Sequence, residues 1–259
     1  MEIADHITAI GREAESFAEA ARQGGLEAEV TTCPGWTMRD LVRHLGMVHL
    51  WAASHDAYPH DDPGYESEEE EHAAFAECWP TLGIFWPDDG DLIDWYLRTN
   101  ANLVASLESA SPDVEAWTFL PAPTPLAMWA RRQAHETAVH RFDAEHAGGG
   151  GSGFDPVFAS DGIDEIVAGF APRKDQLPTA STRTMVVHAE DTDHRWHLTL
   201  AADGITTVRG DGPADVTLTG TASDLYLDLW NRGKDSAIGV EGDRGVLELW
   251  HQNVRVRWS

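Results

Sequence analysis

Apolar residues recur at helical spacing through the first 150 positions and switch to alternation with polar ones in the last 80. Ile3, Ile7, Ile10, Ala14, Phe17 and Ala21 lie three or four apart, which predicts an amphipathic helix over residues 2–23, stopped by Gly24-Gly25. A second helix is expected from Thr37 to about Ala57. Thr37 is its N-cap, Asp40 completes a capping box, and Leu41, Leu45, Val48/His49 and Ala52 form its inner stripe. A third, about 92–109 with Asp91 as its cap, carries Ile93, Tyr96, Leu97, Leu103, Val104 and Leu107 and ends at Ser111-Pro112. Thr124 as N-cap and Pro125 at the first helical position open a fourth helix that runs to about Ala147.

Between the second and third helices the pattern is irregular. Tyr65–Glu71 is a charge run that reads as a solvated loop or short helix, and Cys78-Trp79-Pro80 and Phe85-Trp86-Pro87 read as core filler, with segments folded over a pocket as the alternative. Gly148 to Gly153 is a flexible connector, followed by a short helix over 161–170 and a second connector at Pro172 to Pro178. From Thr182 the period becomes two. Trp196, Leu198 and Leu200 alternate with polar neighbours, Asp203-Gly204 marks a turn, and Val216/Leu218 and Val254/Val256/Trp258 alternate likewise. Ser223 is expected to cap a short helix from Asp224 to Trp230. These elements predict a helical bundle over 1–150, a linker with a short helix over 151–180, and a small α+β domain with an antiparallel sheet over 181–259.

Composition narrows the function. No apolar run approaches the roughly 20 residues that cross a bilayer, and Met1–Asp5 has no secretory-signal pattern, so a cytoplasmic location is expected. The formal net charge of −26 repels phosphate backbones and anionic membrane surfaces, which excludes nucleic acid and membrane as expected partners. With only Cys33 and Cys78, a thiolate zinc site within one chain is excluded, so a metal site must use His, Asp and Glu.

The fourth helix offers such a set. Glu136 and His140 are four apart and share a face with Trp129, Gln133 and Ala144. His49 lies on the inner stripe of the second helix, from which an imidazole can meet a Glu-x-x-x-His pair, as bundle cores often arrange. His44 and His135 are alternatives in another register, and His44 and His49 do not share a face. Two imidazoles and one carboxylate suit zinc with an open fourth position, and also non-haem iron; zinc is preferred. The same spacing also arises in helices that bind nothing.

Thr32-Cys33-Pro34-Gly35-Trp36-Thr37-Met38-Arg39-Asp40-Leu41-Val42-Arg43-His44-Leu45-Gly46, followed by Val48-His49, resembles the first signature of the mycothiol-dependent maleylpyruvate isomerase family. Ala130 to Arg141 resembles the second, and Asp161–Glu165 resembles the family's linker helix. The likeness implies a DinB-like four-helix bundle with a C-terminal, small sterol-carrier-like α+β domain. It implies a divalent metal, zinc by preference, held by His49, Glu136 and His140, with mycothiol as the low-molecular-weight thiol and a small electrophile as second substrate. The thiolate would attack the electrophile, giving isomerisation or transfer. The likeness further implies a catalytic arginine from the C-terminal domain, for which Arg232 is the candidate and Arg244 the rival, and a monomer. A metal-dependent hydrolase on the same scaffold, or a non-enzymatic metal or small-molecule binding protein, are the alternatives.

Overall fold

The computed structural model describes residues 1–54, 67, 86–233 and 237–256. The Tyr65–Glu71 charge run apart from Ser67, the Cys78-Trp79-Pro80 segment, Phe85 and the end of the expected C-terminal strand at Trp258 lie outside these residues. Two compact units emerge, Glu2–Ser152 and Gly153–Ser259 together with Met1. Among the described residues no helix is long and apolar enough to cross a membrane.

The first unit contains four helices: α1 (Ile3–Gly24), α2 (Met38–Ala53), α3 (Asp89–Ser109) and α4 (Pro125–Ala147). Their starts follow from local chemistry. The Thr37 hydroxyl accepts from the Asp40 N–H while Asp40 reaches back to the Thr37 N–H at 2.8 Å, which satisfies two of the donors left over at the start of α2. Thr124 accepts from the Ala127 N–H at 3.1 Å, with Pro125 at the position where a missing N–H costs nothing. The third helix starts earlier than Asp91, with Asp88 at its N-cap.

Phe17 of α1, Leu41 and Leu45 of α2, Leu92, Trp95 and Tyr96 of α3 and Ala144 of α4 are buried in one core. Helices α2 and α3 approach closely at Gly46, where a Cβ would overlap the Trp95 ring. The fourth helix is buried on every side between Arg132 and Ala144, although Arg132, Gln133, His135, Glu136, Thr137, His140, Arg141 and Asp143 lie within that stretch. Burying so much polarity is unfavourable unless the groups satisfy one another. Arg132 pairs with Glu136 and His140 with Asp143 within the helix, and Arg141 pairs with Glu13 of α1, which concentrates ionisable chemistry at the centre of the bundle.

The second unit opens with α5 (Pro156–Asp164). It begins earlier than the expected 161, because the Asp155 side chain caps it by accepting from the Val157 and Phe158 N–H groups. The helical course continues through a wider π-type turn at Glu165–Phe170 and a tight turn at Ala171–Arg173. A five-stranded sheet follows: β1 (Arg183–Ala189), β2 (His194–Ala201), β3 (Gly204–Arg209), β4 (Val216–Gly220) and β5 (Gly239–Gly242), in the order β3-β2-β1-β4-β5. The β1–β2, β2–β3 and β4–β5 pairs are antiparallel, but β1 and β4 run parallel, with Val187 opposite Leu218. The sheet is therefore mixed rather than antiparallel, because the chain crosses from β3 past β2 and β1 to add β4 on the far side.

Two helices complete this unit. Helix α6 (Ala222–Leu229) is capped by Thr221, which accepts from the Asp224 N–H; the sequence expectation of Ser223 is displaced by two residues. Helix α7 (Arg244–Asn253), capped by Asp243, was not anticipated, and Val254, where the expected C-terminal strand would begin, follows it in non-strand backbone, packed in the core. One sheet face, with Met185, Val187, Trp196, Leu198, Val216 and Leu218, is fully buried.

Candidate metal centre

Helix α4 lifts Glu136 and His140 onto one face, one turn apart, and α2 brings His44 against them. The His44 Nε2 lies 3.3 Å from Glu136 Oε1, and the His140 Nε2 lies 3.3 Å from the same oxygen. One donor atom each from His44, Glu136 and His140 fall within 4.8 Å of one another, a group able to hold a metal ion. The His44 and His140 rings meet edge-on with centroids 5.1 Å apart, and Trp36, from the turn before α2, packs on His44 at 4.9 Å.

The non-converging atoms of these side chains are also held. The His140 Nδ1 donates to Asp143 Oδ2 at 2.8 Å, and the same oxygen accepts from the Cys33 thiol at 3.5 Å. Arg132 donates to the second oxygen of Glu136, Oε2, at 2.9 Å. A carboxylate behind an imidazole fixes its tautomer and raises its basicity, and metal-ligating histidines almost always donate their other ring N–H to a carboxylate, a carbonyl or water. Two imidazole nitrogens and a carboxylate oxygen, one imidazole backed by Asp143, thus fit a divalent cation of the zinc type. An overlapping group of Cys33, His140 and Asp143 is also close enough to hold an ion.

The electrostatics follow the same contacts. Burial works to raise the Glu136 pKa, but hydrogen bonds from His140 and His44 and the Arg132 charge hold it well below the ordinary carboxylate value. Burial works to lower that of His140, yet Asp143, Cys33 and Glu136 outweigh it and hold the imidazole well above its usual range. Both nitrogens of His140 point at carboxylates, which favours its protonated form in the metal-free protein. His44 is shifted down, because burial exceeds the pull of Glu136.

His49, the expected first ligand, does not join this group. It is fully buried, donates from Nε2 to Thr137 Oγ1 at 3.0 Å, and stacks on Tyr96 with centroids 5.4 Å apart. Thr137 in turn donates to the Gln133 carbonyl at 2.7 Å, so His49 must be the proton donor and its Nδ1 the unprotonated nitrogen. Burial drives its pKa down to about 3. The structure brings Glu136 and His140 together with His44 in its place. Access separates the two histidines, since the His44 side chain is 17% exposed and an open coordination position must be reachable. Asp143 and Arg132 were not singled out in the sequence; their offsets of three from His140 and four from Glu136 on one helix were the available signal.

Arg232 lies in the C-terminal unit just after α6, where its backbone N–H bonds to the Leu227 carbonyl and its guanidinium donates to the Trp230 carbonyl at 3.0 Å. Arg244 is the first residue of α7.

A four-helix bundle whose buried central helix presents two imidazoles and a carboxylate, followed by an α+β domain on a mixed sheet, defines a class of helical-bundle proteins with a candidate metal centre. Residues 7–145 match the mycothiol maleylpyruvate isomerase N-terminal domain, and residues 158–249 match the C-terminal domain of the same enzymes. The chain belongs to that family. The crystal structure of the mycothiol-dependent maleylpyruvate isomerase is similar to it, with a TM-score of 0.63 and 14% sequence identity over 93% of both chains. A mutant of that enzyme with a histidine replaced by alanine gives the same values. At this identity the likeness shows the fold alone. No curated protein matches in sequence.

Proposed function

We propose that this chain is a metal-dependent enzyme that activates a low-molecular-weight thiol, mycothiol, for attack on a small electrophile, with isomerisation or transfer as the outcome. The observation that carries this reading is the convergence of His44, Glu136 and His140, with Asp143 behind His140 and Arg132 behind Glu136. His44 Nε2, Glu136 Oε1 and His140 Nε2 would hold the metal, zinc by preference. A bound divalent ion supplies one thing, a lower pKa for a thiol at its open position, so that thiolate is present at neutral pH.

The chain's own residues do the rest. Asp143 keeps the His140 proton on Nδ1 and leaves Nε2 as donor. Arg132 fixes the plane of the Glu136 carboxylate. Trp36 covers one face of His44 and limits water there. The overall charge of −26 counts mildly against a dianionic electrophile, which a local arginine would offset. Arg232 enters this reading through the family likeness, as the group that would meet the electrophile; its replacement by alanine is expected to lower turnover without lowering metal content.

The test is metal analysis of the purified protein together with turnover assays using mycothiol and maleylpyruvate or related electrophiles. One divalent ion per chain, and activity that vanishes on omission of the thiol and in His140→Ala, are expected. Activity without any thiol would replace this reading with that of a hydrolase.

A further inference from the structure

Glu136 divides its two oxygens between different partners. Both imidazoles converge on Oε1, at 3.3 Å each, while Oε2 is held by Arg132 at 2.9 Å. The Arg132 and Glu136 side chains are 1% and 5% exposed, so this is a buried ion pair rather than a passing surface contact. A carboxylate can bind a cation through one oxygen or through both, and the second mode uses up a coordination position. A guanidinium on Oε2 competes with the second mode.

The pair also sets the charge. Glu136 and Asp143 together balance a divalent ion, the ligating imidazoles are neutral, and the Arg132 guanidinium then leaves one positive charge within the hydrogen-bonded cluster. One more negative charge neutralises it.

Resting on the metal-dependent reading above, we propose that Arg132 is a positioning residue. By holding Oε2 it keeps Glu136 a one-oxygen donor, and by its charge it matches the open fourth position to a singly charged thiolate. The two effects of removing it have opposite signs. A nearby cation repels the metal ion, so its loss leaves metal affinity unchanged or tighter, whereas the thiolate loses an attractive charge and competes with a second carboxylate oxygen. A residue that merely supported the fold would weaken both.

Cobalt(II) is the probe, because its visible absorption weakens as coordination rises above four and a bound thiolate adds a charge-transfer band. The wild-type protein, Arg132→Met and Arg132→Lys are loaded with cobalt(II) and titrated with 2-mercaptoethanol, and metal affinity is measured against a chelator. Arg132→Met is expected to hold cobalt(II) at least as tightly as wild type, to absorb less in the visible, and to bind the thiol about tenfold or more weakly, as the loss of one neighbouring charge in a partly buried site produces. Arg132→Lys, which keeps a cation and a donor, is expected to stay close to wild type. If Arg132→Met does not fold, as judged by circular dichroism of the metal-free protein, Arg132→Gln gives the same comparison. Metal and thiol affinities that fall together, or a thiol affinity that does not move, overturn the role given to Arg132. A wild-type protein that takes up no cobalt(II) overturns the metal reading itself, a result distinguishable from the other two.

Discussion

His44 and His49 sit on opposite flanks of the apolar stripe of α2. At about 100° per residue, each lies roughly 70° from the centre of that stripe, so helical periodicity treats them alike. Packing separates them: one flank meets Glu136 and His140, the other meets Tyr96 and Thr137. His44→Ala is therefore expected to weaken metal binding by more than the roughly 10- to 100-fold that outer partners of ligands account for. His49→Ala is expected to keep metal binding within that range but to cost about 2–3 kcal/mol of stability, through a lost buried hydrogen bond and ring packing. Chelator competition and denaturant unfolding of the two variants check both statements. His49 also makes the protein acid-sensitive. Its folded pKa, about 3, lies below the ordinary 6.5, so the unfolded chain takes up a proton that the folded chain refuses. That contribution to stability is full above the ordinary value and is lost as the pH falls from 6.5 toward 3. In His49→Gln, the loss of unfolding free energy across that window is expected to be smaller than in wild type.

Among the elements, α2 is where local chemistry and tertiary packing meet most tightly. Its start is fixed by the Thr37–Asp40 capping box, and Thr37→Ala is expected to cost about 1 kcal/mol. Its middle is fixed by Gly46 against Trp95. Gly46→Ala would favour the isolated helix by up to about 1 kcal/mol, but the added methyl has no space, and a net loss of about 1–3 kcal/mol by thermal or urea unfolding is expected. Helix α7 carries the same lesson in another form. Asp243 as cap and Val246, Leu247 and Trp250 at helical spacing mark it in the sequence, yet Gly245 near its start weakens that signal. The alternation at Val254, Val256 and Trp258 lies just beyond it and draws attention to a strand instead. What settles it is burial: Val246, Leu247 and Trp250 pack into the core, and the Trp250 indole donates to the Leu229 carbonyl at 3.1 Å.

For the molecule as a whole, all three donors of the candidate centre lie within Glu2–Ser152. A ligand that binds only the folded state stabilises it by about 2.7 kcal/mol at a hundredfold excess over its dissociation constant. Adding zinc to metal-free protein is thus expected to raise the unfolding transition of the helical unit and leave that of the α+β unit in place, measured by calorimetry or by domain-specific hydrogen exchange. Metal binding must also displace the extra proton on His140, whose pKa is held above its ordinary range by Asp143, Cys33 and Glu136 despite burial. Apparent affinity should therefore rise with pH, about tenfold per unit while one proton is released, until the His140 pKa is passed.

Periodicity, capping residues and glycine-rich connectors determined the four helices, the change to an α+β unit after residue 150 and the pairing of Glu136 with His140, because each depends on neighbours within a turn or two along the chain. Tertiary structure alone decided that β4 adds parallel to β1 and that His44 rather than His49 faces Glu136. Those outcomes depend on which strand edge meets which, and on which flank of one helix meets another. That is a matter of packing between distant segments, and no local spacing encodes it.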